Sequence, residues 1–78
     1  MKEFSILIRS VEEVQAFVQL AMIQPFEVVV ESDRRQVNGK NVMGMFSLDF
    51  HQPVQVRVNC DEDNFCRFRQ EAIQLLAS

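Results

Sequence analysis

The sequence has few of the residues on which catalysis, metal binding and covalent cross-linking depend. It contains two glycines, two cysteines and one histidine among 78 residues. Two glycines are too few for a Gly-rich phosphate loop, and no nucleophile has a base close by in the sequence. Cys60 and Cys66 are too few for a disulfide scaffold, and with His51 and Asp61 they match no short zinc pattern. We therefore expect reduced thiols, no metal, no cofactor and no enzymatic activity.

Long apolar runs and concentrated positive charge are also missing. The apolar stretch Phe17–Ile23 is interrupted by Gln19 and is far shorter than the roughly 20 residues that span a bilayer. The opening residues Met1–Glu3 include an acid, and no apolar segment typical of a signal peptide follows them. The eight Lys and Arg residues are scattered and the net charge is -3, which argues against a nucleic-acid partner. These features predict a cytoplasmic protein that binds neither nucleic acid nor a membrane.

What is present predicts one globular domain over residues 1–78. Hydrophobic residues make up 47% of the chain and charged residues 24%, which is an ordinary globular balance. A chain of this size can bury only about 60% of its surface. Alternating apolar residues and β-branched runs predict four strands, over Phe4–Arg9, Glu27–Glu31, Arg34–Val37 and, after Pro53, residues 54–59.

Two long amphipathic helices lie between and after these strands. Ser10 and Glu13 form a capping box, which predicts a helix start at that point, and Pro25 ends this helix. Acidic residues from Asp61 predict the start of the last helix, which runs to about Ala77. Apolar residues at helical spacing form one stripe on each helix, namely Val11, Val14, Phe17, Val18, Ala21 and Met22 on the first and Phe65, Phe68, Ala72, Leu75 and Leu76 on the last.

The predicted order is β-α-β-β-(short α)-β-α, which indicates an α+β fold. Both long helices must cover one face of a four-stranded antiparallel sheet, because each strand has one polar face. A ferredoxin-like domain is the alternative. It would need a long second helix in the middle of the chain, where Asn41–Leu48 has room for about two turns.

The segment from Val37 to Leu48 reads V-N-G-K-N-V-M-G-M-F-S-L and resembles one family. In HPr, the histidine-containing phosphocarrier of the sugar phosphotransferase system, it typically reads V-N-x-K-S-I-M-G-V-M-S-L. The resemblance implies an open-faced β-sandwich with strand order 1-4-2-3. Asn41 stands where many relatives carry a regulatory serine, so we expect kinase control at this position to be absent. Ser47 matches a serine that is structural in relatives.

The resemblance fails where the phosphocarrier chemistry should be. In HPr the active histidine belongs to a G-x-H-x-R-P-like sequence at the start of the first helix. Here Ile8 and Arg9 lead directly to Ser10, about three residues are missing, and no histidine is present. Glu12 and Glu13 occupy the first helical turn, where they repel a second anion. Another interpretation is that Arg9 is a remnant of the family's phosphate-binding arginine. Against this, Arg9 precedes the helix cap instead of following a histidine.

His51 is the only histidine and lies in the loop before the fourth strand. One interpretation is a displaced phosphoacceptor. The other is a solvated loop side chain, which we favour because the sequence shows no helix N-terminus and no basic residue beside it.

The short helix is the remaining candidate site. If it lies as in HPr, Val42, Met43 and Phe46 share an exposed apolar face while Met45 and Leu48 turn inward. Such a face suits docking of a protein partner, from the phosphotransferase system or a regulatory pathway, or of a second copy of the chain. The alternative is that Phe46 closes the sheet edge and Met43 is an isolated surface residue. We therefore predict an HPr-like interaction or regulatory module, the alternative being a phosphocarrier that uses His51.

Overall fold

The computed structural model describes residues 2–33, 35–48 and 51–76. Its elements follow the predicted order. They are β1 (Lys2–Ile6), α1 (Val11–Met22), β2 (Val28–Ser32), β3 (Arg35–Asn38), α2 (Val42–Phe46), β4 (Val54–Val58) and α3 (Glu62–Leu76).

The four strands form one antiparallel sheet in the order β1-β4-β2-β3. Val56 of β4 faces Phe4 of β1 on one side and Val30 of β2 on the other. This is the strand order that the resemblance to HPr implied, and the α+β open-faced sandwich is confirmed. The ferredoxin-like alternative is wrong because α2 has only five residues and Gly44 weakens its middle.

The core lies between one face of the sheet and the long helices. Valines alternate inward along β2 and β4, so that Val54, Val56 and Val58 are all buried. Phe68 of α3 lies at the centre of a group of rings. Its centroid is 5.8 Å from that of Phe4 and 5.6 Å from that of Phe26. Phe68 thus joins α3 to the sheet and to the segment that leads into β2.

The other face of the sheet is polar. Arg57 of β4 lies between two carboxylates, with Nε 3.1 Å from Glu3 and Nη2 2.9 Å from Glu31. Beside this group, Gln55 donates a hydrogen bond to the Ser5 hydroxyl at 2.6 Å. Ion pairs of this exposure contribute at most about 1 kcal/mol each, so the face is held mainly by the strand pairing.

All four strands differ from their predicted bounds by a few residues or fewer. β1 ends at Ile6 rather than Arg9, although Ile8 beyond it is buried. β2 begins and ends one residue later than predicted, at Val28 and Ser32. β3 begins at Arg35, and Arg34 lies outside the described residues. Asp33, with φ 52°, turns the chain between β2 and β3, and Asp tolerates this left-handed conformation better than most residues.

The start of α1 confirms half of the predicted capping box. The Ser10 hydroxyl accepts a hydrogen bond from the Glu13 amide at 3.2 Å. The Glu13 carboxylate, however, accepts from the amide of Arg9 at 2.8 Å, not from that of Ser10. The helix ends at Met22, before Pro25 is reached.

The predicted stripe of α1 is wrong at both ends. Val11 is 57% exposed and Met22 61% exposed, whereas Leu20 is buried. Apolar spacing identifies the inward face of α1 but not how far the core extends along the helix. On α3, Phe68, Ala72 and Leu76 are buried, whereas Phe65 and Leu75 are only partly buried.

α3 starts as predicted, because the Asp61 carboxylate accepts a hydrogen bond from the Asn64 amide at 2.9 Å. The predicted last residue, Ala77, lies outside the described residues. None of the helices in the described part of the chain is long and apolar enough to cross a membrane.

Candidate docking surface

Asn41 fixes the start of α2. Its side-chain oxygen accepts hydrogen bonds from the amides of Met43, at 3.0 Å, and Gly44, at 3.3 Å. Ser47 closes the helix, since its hydroxyl donates to the carbonyl oxygen of Gly44 at 2.6 Å. Gly44 faces Val37 of β3, and a Cβ at this position would lie 3.3 Å from the Val37 Cβ. The absence of a side chain therefore lets α2 lie close against the sheet edge.

The exposed face of α2 agrees with the prediction at two of three residues. Met43 is 76% exposed and Phe46 42% exposed. Val42 is only half-exposed and packs against the core. Met45 and Leu48 are buried, as predicted. Since Met43 and Phe46 are three residues apart, they lie on the same side of the helix.

Phe46 does not stand alone on the surface. It lines a cleft of about 290 Å³ together with the start of α1 and with the loop before β4. The lining residues are Ile8, Arg9, Ser10, Val11, Val14, Phe46 and His51. Sequence reasoning missed the contribution of Val11, because its spacing assigned it to the core stripe.

The surroundings of His51 differ from those expected from the sequence. The sequence showed neither a helix N-terminus nor a basic residue near it, yet the structure places it in one cleft with Ser10, the N-cap of α1, and with Arg9. The cause is the pairing of β1 with β4. Ile6 faces Val54 in that antiparallel pair, so the loop that leaves β1 and the loop that enters β4 meet at one end of the sheet.

Arg9 is engaged elsewhere. Its guanidinium donates a hydrogen bond to the carbonyl oxygen of Leu76, in the last turn of α3, at 2.9 Å. A cation at a helix C-terminus is favourable because the free carbonyl groups carry partial negative charge. The contact ties the cleft to α3. It gives no support to a phosphate-binding role for Arg9.

Lys40, just before α2, is held in a similar way. Its ammonium group donates to the carbonyl oxygen of Gln24, beyond the end of α1, at 2.8 Å. Gln24 in turn donates through its side chain to the carbonyl oxygen of Leu20 at 3.1 Å. The two cations that precede α1 and α2 are thus both bound to backbone oxygens of the chain itself.

The cysteines lie at the other end of the molecule, near Lys2. The Lys2 ammonium is 2.6 Å from the Glu62 carboxylate, and this hydrogen bond and charge lower the pKa of Glu62 and raise that of Lys2. Burial raises the pKa of Cys60, with a smaller contribution from Asp61. Both thiols are free. The described residues contain no group of three or more His, Cys, Asp or Glu side chains that could hold a metal ion.

Fold and surface together define an α+β domain in which a short capped helix and the start of the first helix share one exposed cleft. A family profile described as "PTS HPr component phosphorylation site" matches residues 12–78. The chain belongs to this family, the HPr phosphocarrier proteins of the phosphotransferase system. The matched span includes α2 but begins at Glu12, so the loop that precedes α1 lies outside it.

Solved structures support the same assignment. The crystal structure of HPr-C-His from Thermoanaerobacter tengcongensis is 31% identical, with a TM-score of 0.71, covering 99% of this chain and 88% of that chain. The HPr dimer from the same organism is also 31% identical, with a TM-score of 0.60, covering 99% and 90% of the two chains. Phosphocarrier protein HPr from Bacillus anthracis is 15% identical, with a TM-score of 0.73 and coverage of 96% and 95%, and shows the shared fold. No curated protein sequence matches the chain significantly.

The cap at Asn41 yields a first prediction. Asn41→Ala removes the acceptor of two helix amides and should lower the free energy of unfolding by about 1 kcal/mol. Asn41→Ser keeps a capping oxygen, so the free energy of unfolding should change by only about 0.3 kcal/mol. Urea unfolding followed by circular dichroism measures both values. Equal losses in the two variants would contradict the capping role.

Proposed function

We propose that this chain is an HPr-family module that docks a protein partner through Met43, Phe46 and the adjoining cleft, and that it does not carry a phosphoryl group at the family's usual position. The observation that carries the proposal is the contrast between α1 and α2. Around α2 the apolar face is exposed. At the start of α1, Ser10 and Glu13 form a cap where the family resemblance places the active histidine.

The electrostatics of the α1 start support the second half of the proposal. Glu12 and Glu13 lie in the first turn, where their charge interacts favourably with the free amides. These carboxylates occupy the position in which a phosphoryl group would gain the same stabilisation. A dianion brought to this turn would be repelled by both.

One observation favours a second candidate function, that of a phosphocarrier using His51. The imidazole lies in the same cleft as Ser10 and Arg9, so the start of α1 is closer to His51 than its sequence position suggests. In such a transfer an imidazole nitrogen would form a bond to phosphorus as the bond between phosphorus and the donor breaks. Glu12 and Glu13 oppose this transfer for the same reason that they oppose a phosphoryl group at the start of α1, because they repel an anion.

Phosphotransfer separates the two candidates. The protein is incubated with phosphoenolpyruvate and the first enzyme of the phosphotransferase system, and its intact mass is measured beside an ordinary HPr. We expect no gain of a phosphoryl group. A gain that disappears in His51→Gln would establish the second candidate instead, and a gain retained in that variant would contradict both.

The docking half is tested by changing the exposed face. Met43→Lys and Phe46→Lys should leave the circular dichroism spectrum unchanged, because neither side chain is buried. Binding is measured with the partner that the wild type binds, which is a phosphotransferase-system protein, a regulatory protein or a second copy of the chain. Both variants should bind this partner more weakly. Self-association is included because the similar T. tengcongensis protein is described as a dimer. Unchanged binding in both variants would count against this surface.

A further inference from the structure

One edge of the sheet is open. β1 pairs with β4 on one side, and the order β1-β4-β2-β3 leaves its other side without a strand partner among the described residues. Charged side chains often protect such an edge. In β1 they lie at its start, at Lys2 and Glu3, and the segment from Ser5 to Ile8 is uncharged. The outer side of β1 therefore offers backbone donors and acceptors to another chain.

α3 runs alongside this edge in the same direction. The Lys2 ammonium is 2.6 Å from the Glu62 carboxylate, where both elements start. Arg9, beyond the end of β1, donates to the carbonyl oxygen of Leu76 in the last turn of α3. A groove of about 320 Å³ lies between the strand edge and the last turns of α3. Its lining residues are Ser5, Ile6, Leu7, Arg9, Ile73 and Leu76.

The groove is apolar and partly open. Leu7 is 44% exposed on the strand side, and Ile73 is 45% exposed on the helix side. Ile6 and Leu76 lie behind them and are buried. An extended chain laid along β1 would cover these side chains while its backbone pairs with the strand. This is the mode of recognition called β-strand addition.

Arg9 gives one end of the groove a positive charge. Its guanidinium uses Nη2 for the Leu76 carbonyl oxygen, and its full charge outweighs the partial negative charge at the end of α3. Its other N–H groups can donate to a ligand. None of the lining residues is acidic, and Glu3, the one acid of β1, is ion-paired within the sheet. Arg69 lies one turn before Ile73 on the same side of α3, so the groove favours a carboxylate.

We propose that this groove binds the C-terminal end of a partner's chain by strand addition. The partner's last residues extend along β1 in the same direction, and an apolar last side chain enters between Leu7 and Ile73. The terminal carboxylate accepts hydrogen bonds from Arg9. Because β1 leaves the sheet at Ile6, an added strand has no backbone partner beyond that point, and a parallel chain that ends there places its carboxylate at Arg9. The groove shares only Arg9 with the docking cleft, so this inference goes beyond the proposed function.

A matched pair of peptides tests the carboxylate. Both have about six residues, with Thr and Val alternating, Leu last and a fluorophore at the N-terminus. One ends in a free carboxylate and the other in an amide. Fluorescence anisotropy with the full chain should show that the acid binds about tenfold more tightly, because the amide loses a hydrogen bond between two charged groups. Equal affinities, or binding of neither peptide, would overturn the proposal.

Substitutions locate the contact. Arg9→Gln can still donate to the Leu76 carbonyl oxygen but should remove the difference between acid and amide. Arg67→Gln is the matched control, because it removes the same charge from an exposed position about 120° around α3 from Ile73. Ile73→Gln should weaken both peptides. Circular dichroism verifies that each variant is folded. An equal loss of discrimination in Arg9→Gln and Arg67→Gln would show that Arg9 does not hold the carboxylate.

Two further measurements test the strand pairing and the location. Alternate amides of an added strand face β1, so N-methylation of one alternate set in the acid peptide should abolish binding and methylation of the other set should not. The same effect from both sets would contradict strand addition. Phe46→Gln should leave the affinity unchanged, and a loss would place the peptide in the docking cleft instead. Light scattering that shows a dimer broken by Leu7→Lys would assign the edge to a second copy and overturn the proposal.

Discussion

Phe68→Ala should lower the free energy of unfolding by about 3–5 kcal/mol. Phe68 is almost fully buried, and its ring lies within 6.0 Å of those of Phe4, Phe17 and Phe26, measured between centroids. The substitution removes these three ring contacts and leaves a cavity where α3 meets the sheet. Since native domains are stable by only about 5–15 kcal/mol, much of the stability should be lost. Urea unfolding followed by circular dichroism measures the change.

Phe46→Ala is the matched control for this loss. It makes the same chemical change at a side chain that is 42% exposed, so the cost should be about 1 kcal/mol. Phe68→Leu keeps most of the volume and should cost less than about 1.5 kcal/mol, which provides a folded variant if Phe68→Ala fails to fold. A smaller loss for Phe68→Ala than for Phe46→Ala would show that the ring cluster does not organise the core.

Gly39→Ala should cost about 1–3 kcal/mol through overpacking. A Cβ at Gly39 would lie 2.7 Å from Cγ1 of Val28 and 3.2 Å from Cγ2 of Val30. Both valines are fully buried in the sheet, so neither can move aside without disturbing the core. The Gly39 amide also donates to the Val28 carbonyl oxygen at 2.7 Å, which holds the two backbones together. Chemical denaturation compared with the wild type measures the loss.

Two further variants identify crowding as the cause. Gly44→Ala should change stability by less than about 1 kcal/mol, because the gain in helix propensity offsets the milder contact with Val37. Val28→Ala removes the atom that the new Cβ would strike, so its cost should be smaller in the Gly39→Ala background than in the wild type. Strictly additive losses at Gly39 and Val28 would contradict direct contact.

The fold was predictable because the alternation of apolar residues and the resemblance of the Val37–Leu48 segment to HPr indicated the same arrangement of strands and helices. Alternating valines in β4 and the cap at Asp61 each fixed an element locally, and the segment around Gly44 implied the strand order. The errors lie at the ends of elements. Val11 and Met22 continue the apolar spacing of α1, but spacing alone does not tell how far the sheet extends beneath a helix.

The candidate site was predictable in one part and not in another. Exposure of Met43 and Phe46 followed from the resemblance, and the structure agrees. The proximity of His51 to Ser10 was missed, although the expected strand order contained it. Because β1 and β4 are antiparallel neighbours and Ile6 pairs with Val54, Arg9 and His51 belong to loops at the same end of the sheet. The contacts of Arg9 and Lys40 with backbone oxygens had no signal in the sequence.

The central position of β4 links docking to folding. β4 pairs with both β1 and β2, so the sheet is incomplete until the chain has been synthesised past Val58. The pairing of Lys2 with Val58 closes a loop that contains every element before α3. Pairings between residues so far apart in the sequence carry a high loop-closure entropy and slow folding. The cleft exists only while β1 and β4 are paired. A partner bound in the proposed docking cleft would therefore stabilise the pairing of β1, by an amount that grows with the ratio of partner concentration to Kd, and conditions that open β1 would weaken its binding.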